Sequence, residues 1–262
     1  MEFRPCIDIH DGKVKQIVGS SLGEDAHSTQ VNFESTLDAS YYAQMYQEKG
    51  LYGGHVILLN APQSPFFAQS KAQAIQALKA FPNGLQLGGS VTPSNAWEYL
   101  SAGASHVICT SYVFVDGTIR YDRLSQLSET VGKDHLVLDL SCRKIKGDYH
   151  IVTNRWQKAT EEVITPKLLD KLSSYADEFL IHGVDVEGKG VGIEEELIRL
   201  LSVWDGIPIT YAGGVRCLED ILFIKQLGRD RIHVTIGSAL DVFGGSLSTE
   251  DVITYTQKRL PS

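Results

Sequence analysis

The sequence is short of several things, and each shortage removes a class of protein. No apolar run in the 262 residues reaches the roughly 20 residues that a membrane-crossing helix needs. Basic residues are outnumbered: 24 Lys and Arg stand against 32 Asp and Glu, a net charge of −8. A nucleic-acid backbone would meet a mostly repulsive surface, so no nucleic-acid partner is expected. Small phosphorylated ligands stay open, because backbone N–H groups and helix N-termini hold them locally. The four cysteines, Cys6, Cys109, Cys142 and Cys217, form neither a CxxC pair nor a dense framework. They read as reduced thiols packed as small apolar residues. The eight histidines show no HxxxH or similar spacing, so no metal is expected. No signal peptide precedes the first strand pattern, which begins almost at Met1. The expected compartment is therefore cytoplasmic, or the plastid stroma if a presequence has been removed.

What is present is alternation. Short Val-, Ile- and Leu-rich runs at Phe3–Ile9, His55–Leu59, Leu85–Leu87, His106–Thr110, Leu136–Leu140, Glu178–His182, Pro208–Tyr211 and His233–Ile236 read as eight strands. Amphipathic stretches lie between them, among them Ala39–Glu48, Ser94–Ala102, Arg123–Thr130, Pro166–Tyr175, Glu194–Trp204 and Leu218–Leu227. Strand–helix alternation implies parallel strands with helical crossovers, and eight such units close into a (β/α)8 TIM barrel. An open doubly wound sheet would carry a Gly-rich turn after the first strand, and no GxGxxG stands there. The expectation is one α/β barrel domain over residues 1–262. Two polar segments read as long loops on the catalytic face: Ser20–Glu34, and Arg143–Lys158 with a hairpin turn at Lys146-Gly147-Asp148.

The strongest pattern is a half-barrel duplication. Leu87-Gly88-Gly89 is followed by a helix and then Val107-Ile108-Cys109-Thr110-Ser111. Ala212-Gly213-Gly214-Val215 is followed by a helix and then Val234-Thr235-Ile236-Gly237-Ser238. Glycine lets the backbone come close to an anion, and a hydroxyl beginning the next turn adds a donor. Two such sites, on strands 3–4 and 7–8, imply a phosphate-binding barrel whose substrate carries a phosphate at each end. Asp8 and Asp139 occupy strands 1 and 5, opposite one another in an eight-stranded barrel. An Asp inside an apolar strand is costly unless hydrogen-bonded. Two such carboxylates suit one acid and one base.

These motifs resemble a known family. The run Pro5-Cys6-Ile7-Asp8-Ile9-His10-Asp11-Gly12-Lys13-Val14, the two Gly-Gly copies and Ile236-Gly237-Ser238-Ala239-Leu240-Asp241 resemble the barrels of histidine biosynthesis. Asp139-Leu140-Ser141-Cys142-Arg143-Lys144, Arg155-Trp156-Gln157-Lys158, Asp185-Val186-Glu187-Gly188 and Asp241-Val242-Phe243-Gly244-Gly245 narrow the likeness. It is to the eukaryotic-type phosphoribosylformimino-5-aminoimidazole carboxamide ribotide isomerases. The resemblance implies a cofactor-independent Amadori rearrangement of a bisphosphorylated aminoaldose, and a monomer is expected. It makes Asp8 the base that takes the C2′ proton and Asp139 the acid that protonates the ribose ring oxygen. It places Arg155 and Trp156 over the substrate and His55 near the site; Gly188 joins the expected phosphate contacts, and His182 reads as a residue that orients a carboxylate or donates to the substrate. Two departures from bacterial members stand out: Ser141 where they place the acid, and His182 where they tend to carry Thr. Thr110 likewise stands where Gly is common. The rival readings are the cyclase barrel of imidazole glycerol phosphate synthase, which needs a source of ammonia, and a noncatalytic phosphosugar-binding barrel.

Overall fold

All eight expected runs form strands: β1 Cys6–His10, β2 Gly54–Leu58, β3 Leu85–Gly88, β4 Val107–Cys109, β5 Leu136–Asp139, β6 Glu178–His182, β7 Ile209–Ala212 and β8 Ile232–Thr235. The computed structural model describes residues 1–17, 30–154 and 156–258. The strands pair in chain order from β1 to β8. A parallel bridge between Phe3 and Val234 closes the sheet on itself. Arg4 N donates to Val234 O at 2.9 Å, and Val234 N donates to Glu2 O at 3.0 Å. The result is a (β/α)8 barrel.

Its helices are α1 Ala39–Glu48, α2 Phe67–Ala80, α3 Ala96–Ser101, α4 Tyr121–Val131, α5 Pro166–Leu172, α6 Glu195–Ser202, α7 Leu218–Leu227 and α8 Thr249–Gln257. Local chemistry fixes several ends. Thr165 caps α5 by accepting from Leu168 N, with Pro166 in the first turn. Ser248 caps α8 by accepting from Asp251 N. Helix α6 buries Leu197, Ile198 and Leu201 against the sheet and opens with Glu195 and Glu196, which suit its dipole. No helix among the described residues is long and apolar enough to cross a membrane.

The barrel interior is layered, because residues i and i+2 of a strand face the same side. At the N-terminal end Arg4 pairs with Glu178 and donates to Thr210 Oγ1 at 3.1 Å. Gln86 Nε2 donates to Glu178 Oε2 at 2.9 Å, and the Thr210 hydroxyl donates to Glu178 Oε1. Every member of this buried network has a partner. Ile108, Val137 and Leu180 form a small apolar cluster with Ile57 against it. Two residues further along the same strands come Thr110, Asp139 and His182. The same step carries Cys6 to Asp8, Gln86 to Gly88 and Thr210 to Ala212.

The loops follow the expectation where they are described. Lys13–Ile17 folds back antiparallel on β1, and Val31–Glu34 pairs with it. Residues 18–29, most of the first long loop expected from the sequence, lie outside the described residues. The strand after β5, Cys142–Ile145, pairs antiparallel with Asp148–Thr153 through a two-residue turn. Lys146 and Gly147 both take positive φ, 51° and 102°, the twist that a tight hairpin demands. Lys158–Val163 adds a third strand.

Candidate active site

The C-terminal ends of the strands surround a cavity of about 880 Å³. Both expected carboxylates line it, one from each half of the barrel. Asp8 sits at β1, with Gln16 Nε2 reaching its Oδ2 at 3.4 Å. Burial dominates and pushes this carboxyl up to about 7, the Gln16 contact opposing. Asp139 stands in a different setting. Its Oδ1 accepts from Ser141 N at 2.8 Å and from the Ser141 hydroxyl at 2.5 Å, and its Oδ2 accepts from Thr110 Oγ1 at 3.0 Å. Ser141 and Thr110 are two of the three positions that the sequence reading set apart as departures, His182 being the third. Here their hydroxyls hold the carboxylate one pleat deeper.

A third carboxyl completes the cavity, and the sequence reading did not single it out. Glu187, on the loop after β6, lines the cavity beside Gly188 and Lys189. No donor among the described residues reaches it. Burial, with the charge of Asp8 adding to it, raises it to about 7. Its only sequence signal is its place in Asp185-Val186-Glu187-Gly188, next to the expected Gly188. A loop carboxylate looks solvated until the fold brings it to Asp8.

His55 and His182 stand on the cavity wall with ring centroids 6.3 Å apart. Burial keeps His55 neutral, down to about 3, and His182 adds to that. Burial also lowers His182, against the pull of the Asp139 charge, and its Nδ1 is buried without a partner among the described residues. Trp156 lines the cavity with its ring 5.5 Å from His182, held at a φ of 64°. Arg155, expected beside it, lies outside the described residues.

Gly88, Gly89, Ser111, Gly188, Gly213, Gly214, Gly237 and Ser238 all line the cavity. Two of the glycines are obligatory on packing grounds as well. A Cβ on Gly89 would stand 2.3 Å from Leu58 O, and one on Gly214 would stand 2.1 Å from Gly192 O. The two Gly-Gly pairs are not in register with each other. Gly88 ends β3 and pairs with Ile108, whereas Ala212 ends β7 and pairs with Thr235. Gly89 and Ser90 have φ of 106° and 56°, matching Gly213 and Gly214 at 121° and 74°. Gly89 thus corresponds to Gly213, and Ser90 to Gly214, a one-residue correction to the repeat read from sequence. Ser111 and Ser238 remain equivalent. Among the described residues no group of three or more His, Cys, Asp or Glu is arranged to hold a metal ion. All four cysteines are free thiols, three of them buried.

Known proteins share this sequence pattern. A profile of the family described as "Histidine biosynthesis protein" matches residues 2–247. A chloroplastic 1-(5-phosphoribosyl)-5-((5-phosphoribosylamino)methylideneamino)imidazole-4-carboxamide isomerase of Medicago truncatula is 52% identical over 259 residues, 97% of this chain and 81% of that protein. Isomerases of the same name from Neurospora crassa and Saccharomyces cerevisiae are 43% and 39% identical, each covering 98% of this chain and 99% of their own length. The chain belongs to the histidine biosynthesis protein family.

Proposed function

We propose that this chain catalyses the reaction for which its relatives are named. It isomerises the bisphosphorylated aminoaldose ProFAR to the aminoketose PRFAR. The observation that carries the reading is the set of cavity carboxyls from opposite sides of the barrel, lying between two glycine-lined poles. The poles take the two phosphates and hold the ribose across the mouth. Positioning of this kind is worth up to roughly 7–11 kcal/mol in the best intramolecular cases.

An acid protonates the ribose ring oxygen, and the ring opens to a protonated Schiff base. Asp8 then removes the C2′ proton, and the enaminol formed tautomerises to the ketose. Asp139 is the acid in the sequence reading. Glu187 is the second reading, and one observation favours it: its carboxyl is held near 7, where it still carries a proton at neutral pH. Asp139 instead receives three donated hydrogen bonds. In that arrangement the held oxygens of Asp139 face the reacting ribose, while Glu187 gives a proton and Asp8 takes one. Trp156 stacks on the imidazole of the substrate, Arg155 closes over it, and neutral His55 and His182 offer hydrogen bonds to it.

The whole chain acts as one monomeric barrel without cofactor, in the cytoplasm. The plastid stroma is the alternative that the Medicago truncatula relative supports by its name. Purified chain mixed with ProFAR, without added metal or ammonia, should form PRFAR. Absence of turnover with tight bisphosphate binding would point to the binding barrel, and turnover of PRFAR only with ammonia to the cyclase. The pH profile of kcat/KM should be a bell centred near pH 7, and Glu187→Gln should erase its alkaline limb. If Asp139→Asn erases that limb instead, Asp139 is the acid.

A further inference from the structure

The two poles of the cavity are built on equivalent backbone but carry different charge. In the register set by the strand ends, Thr92 of the first half corresponds to Arg216 of the second. Both backbone amides cap a following turn alike: Thr92 N donates to Asn95 Oδ1 at 2.8 Å, and Arg216 N donates to Asp220 Oδ2 at 3.0 Å. Only the second half places a permanent cation there. Among the described lining residues the sole Lys and Arg are Lys189 and Arg216, both beside Gly188, Gly213 and Gly214. The other pole is lined by Gly88, Gly89, Ser90, Val91, Thr110 and Ser111, none of them charged. The cavity also holds the carboxyls of Asp8, Asp139 and Glu187. A doubly charged phosphate entering it needs a compensating positive charge.

We propose that Arg216, supported by Lys189, makes the β7–β8 pole the electrostatic anchor for a dianionic phosphoryl group, while the β3–β4 pole receives its phosphate through neutral donors. This rests on the two-pole reading above and assigns the poles unequal roles. The guanidinium is pre-positioned for the task. Its Nη1 donates to Val191 O at 3.1 Å and its Nε lies 3.4 Å from Asp220 Oδ2. Nη2 makes no hydrogen bond to a described residue, and the side chain is 53% exposed at the mouth. A planar fork held at two points and open at a third suits a phosphate better than a mobile lysine does. The same guanidinium packs over Gly192, within 3.3 Å of where a Cβ there would stand. Arg216 therefore touches the loop that carries Glu187.

The test titrates inorganic phosphate into the full chain, followed by calorimetry or phosphorus NMR, with Arg216→Gln, Arg216→Lys and Ser111→Ala beside the native protein. Arg216→Gln should weaken the tightest phosphate step at least about tenfold, as loss of a charge-assisted bond does. Arg216→Lys, which keeps the charge, should lose less, and Ser111→Ala should leave that step within about twofold. A salt series on the native chain needs no variant: the tightest step should weaken as salt rises. Native affinity in Arg216→Gln, a tightest step abolished by Ser111→Ala, or indifference to salt would each overturn the inference while leaving two phosphate sites standing. Failure of the native chain to bind phosphate at all would remove the two-pole reading, and this inference with it.

Discussion

Asp8 is expensive to keep. Its carboxyl is raised to about 7 by burial, so the folded chain prefers it neutral while the unfolded chain ionises it near the usual 3.8. The sign follows from linkage: the ionised group costs stability, none of it below about pH 4 and all of it above about pH 7. Asp8→Asn should therefore stabilise the fold at pH 8 by on the order of 1–4 kcal/mol, seen as a raised Tm, and leave Tm unchanged at pH 4. Thermal melts at the two pH values check this, and an equal shift at both would show that the gain is not electrostatic. A group retained at such a cost is expected of a working carboxyl. Sequence alone made Asp8 and Asp139 visible, because a charged residue inside an apolar strand breaks the pattern. Glu187 stayed hidden. It sits in a polar loop, and its burial arises only from long-range packing against β7 and the neighbourhood of Asp8.

The elements read unevenly for physical reasons. Strands buried on both faces give continuous apolar runs, so all eight were legible to within a few residues. The fifth-loop hairpin was legible from Lys146-Gly147-Asp148, since Gly tolerates the positive φ that the turn imposes. Helix α2 was not singled out. It buries Ser70, Ala74 and Ala77 beside Leu78, and these mostly small residues contrast weakly with its Gln-rich exposed side. The glycine repeat misled by one position, because a Gly-Gly pair looks the same in either register. Only the strand ends and the φ values separate Gly88 from Gly213. Helix α5 offers a test at this scale. Thr165→Ala removes the hydroxyl that accepts from Leu168 N and should cost about 1 kcal/mol of stability with kcat and KM unchanged. A larger loss, or a change in turnover, would tie this cap to the fifth loop that precedes it.

At the scale of the molecule, the barrel separates stability from chemistry along its axis. The Arg4–Glu178–Gln86–Thr210 network closes the N-terminal end, an apolar layer fills the middle, and the carboxyls and glycine poles face the opposite mouth. Glu178→Ala takes the buried carboxylate from Arg4, Gln86 and Thr210, leaving Arg4 only its exposed pairing with Glu2 and its bond to Thr210, and should cost about 3 kcal/mol. Phosphate affinity should stay within about twofold, as denaturant unfolding and phosphate titration on the same sample would show. The alternation of strand and helix announced this architecture, and the paired motifs announced its two poles. Neither could show which carboxyl carries a proton, because that depends on burial created by the closed barrel. The account rests most heavily on Asp8 as the base held between the poles. Its most direct test measures turnover and binding of ProFAR by Asp8→Asn, with substrate deuterated at C2′ as the control on the native enzyme. The account predicts a primary isotope effect in the native enzyme, and in the variant a loss of kcat on the order of 10²–10⁴ with substrate affinity within about threefold. A variant that turns over at near-native rate would remove Asp8 from the reaction and contradict the account.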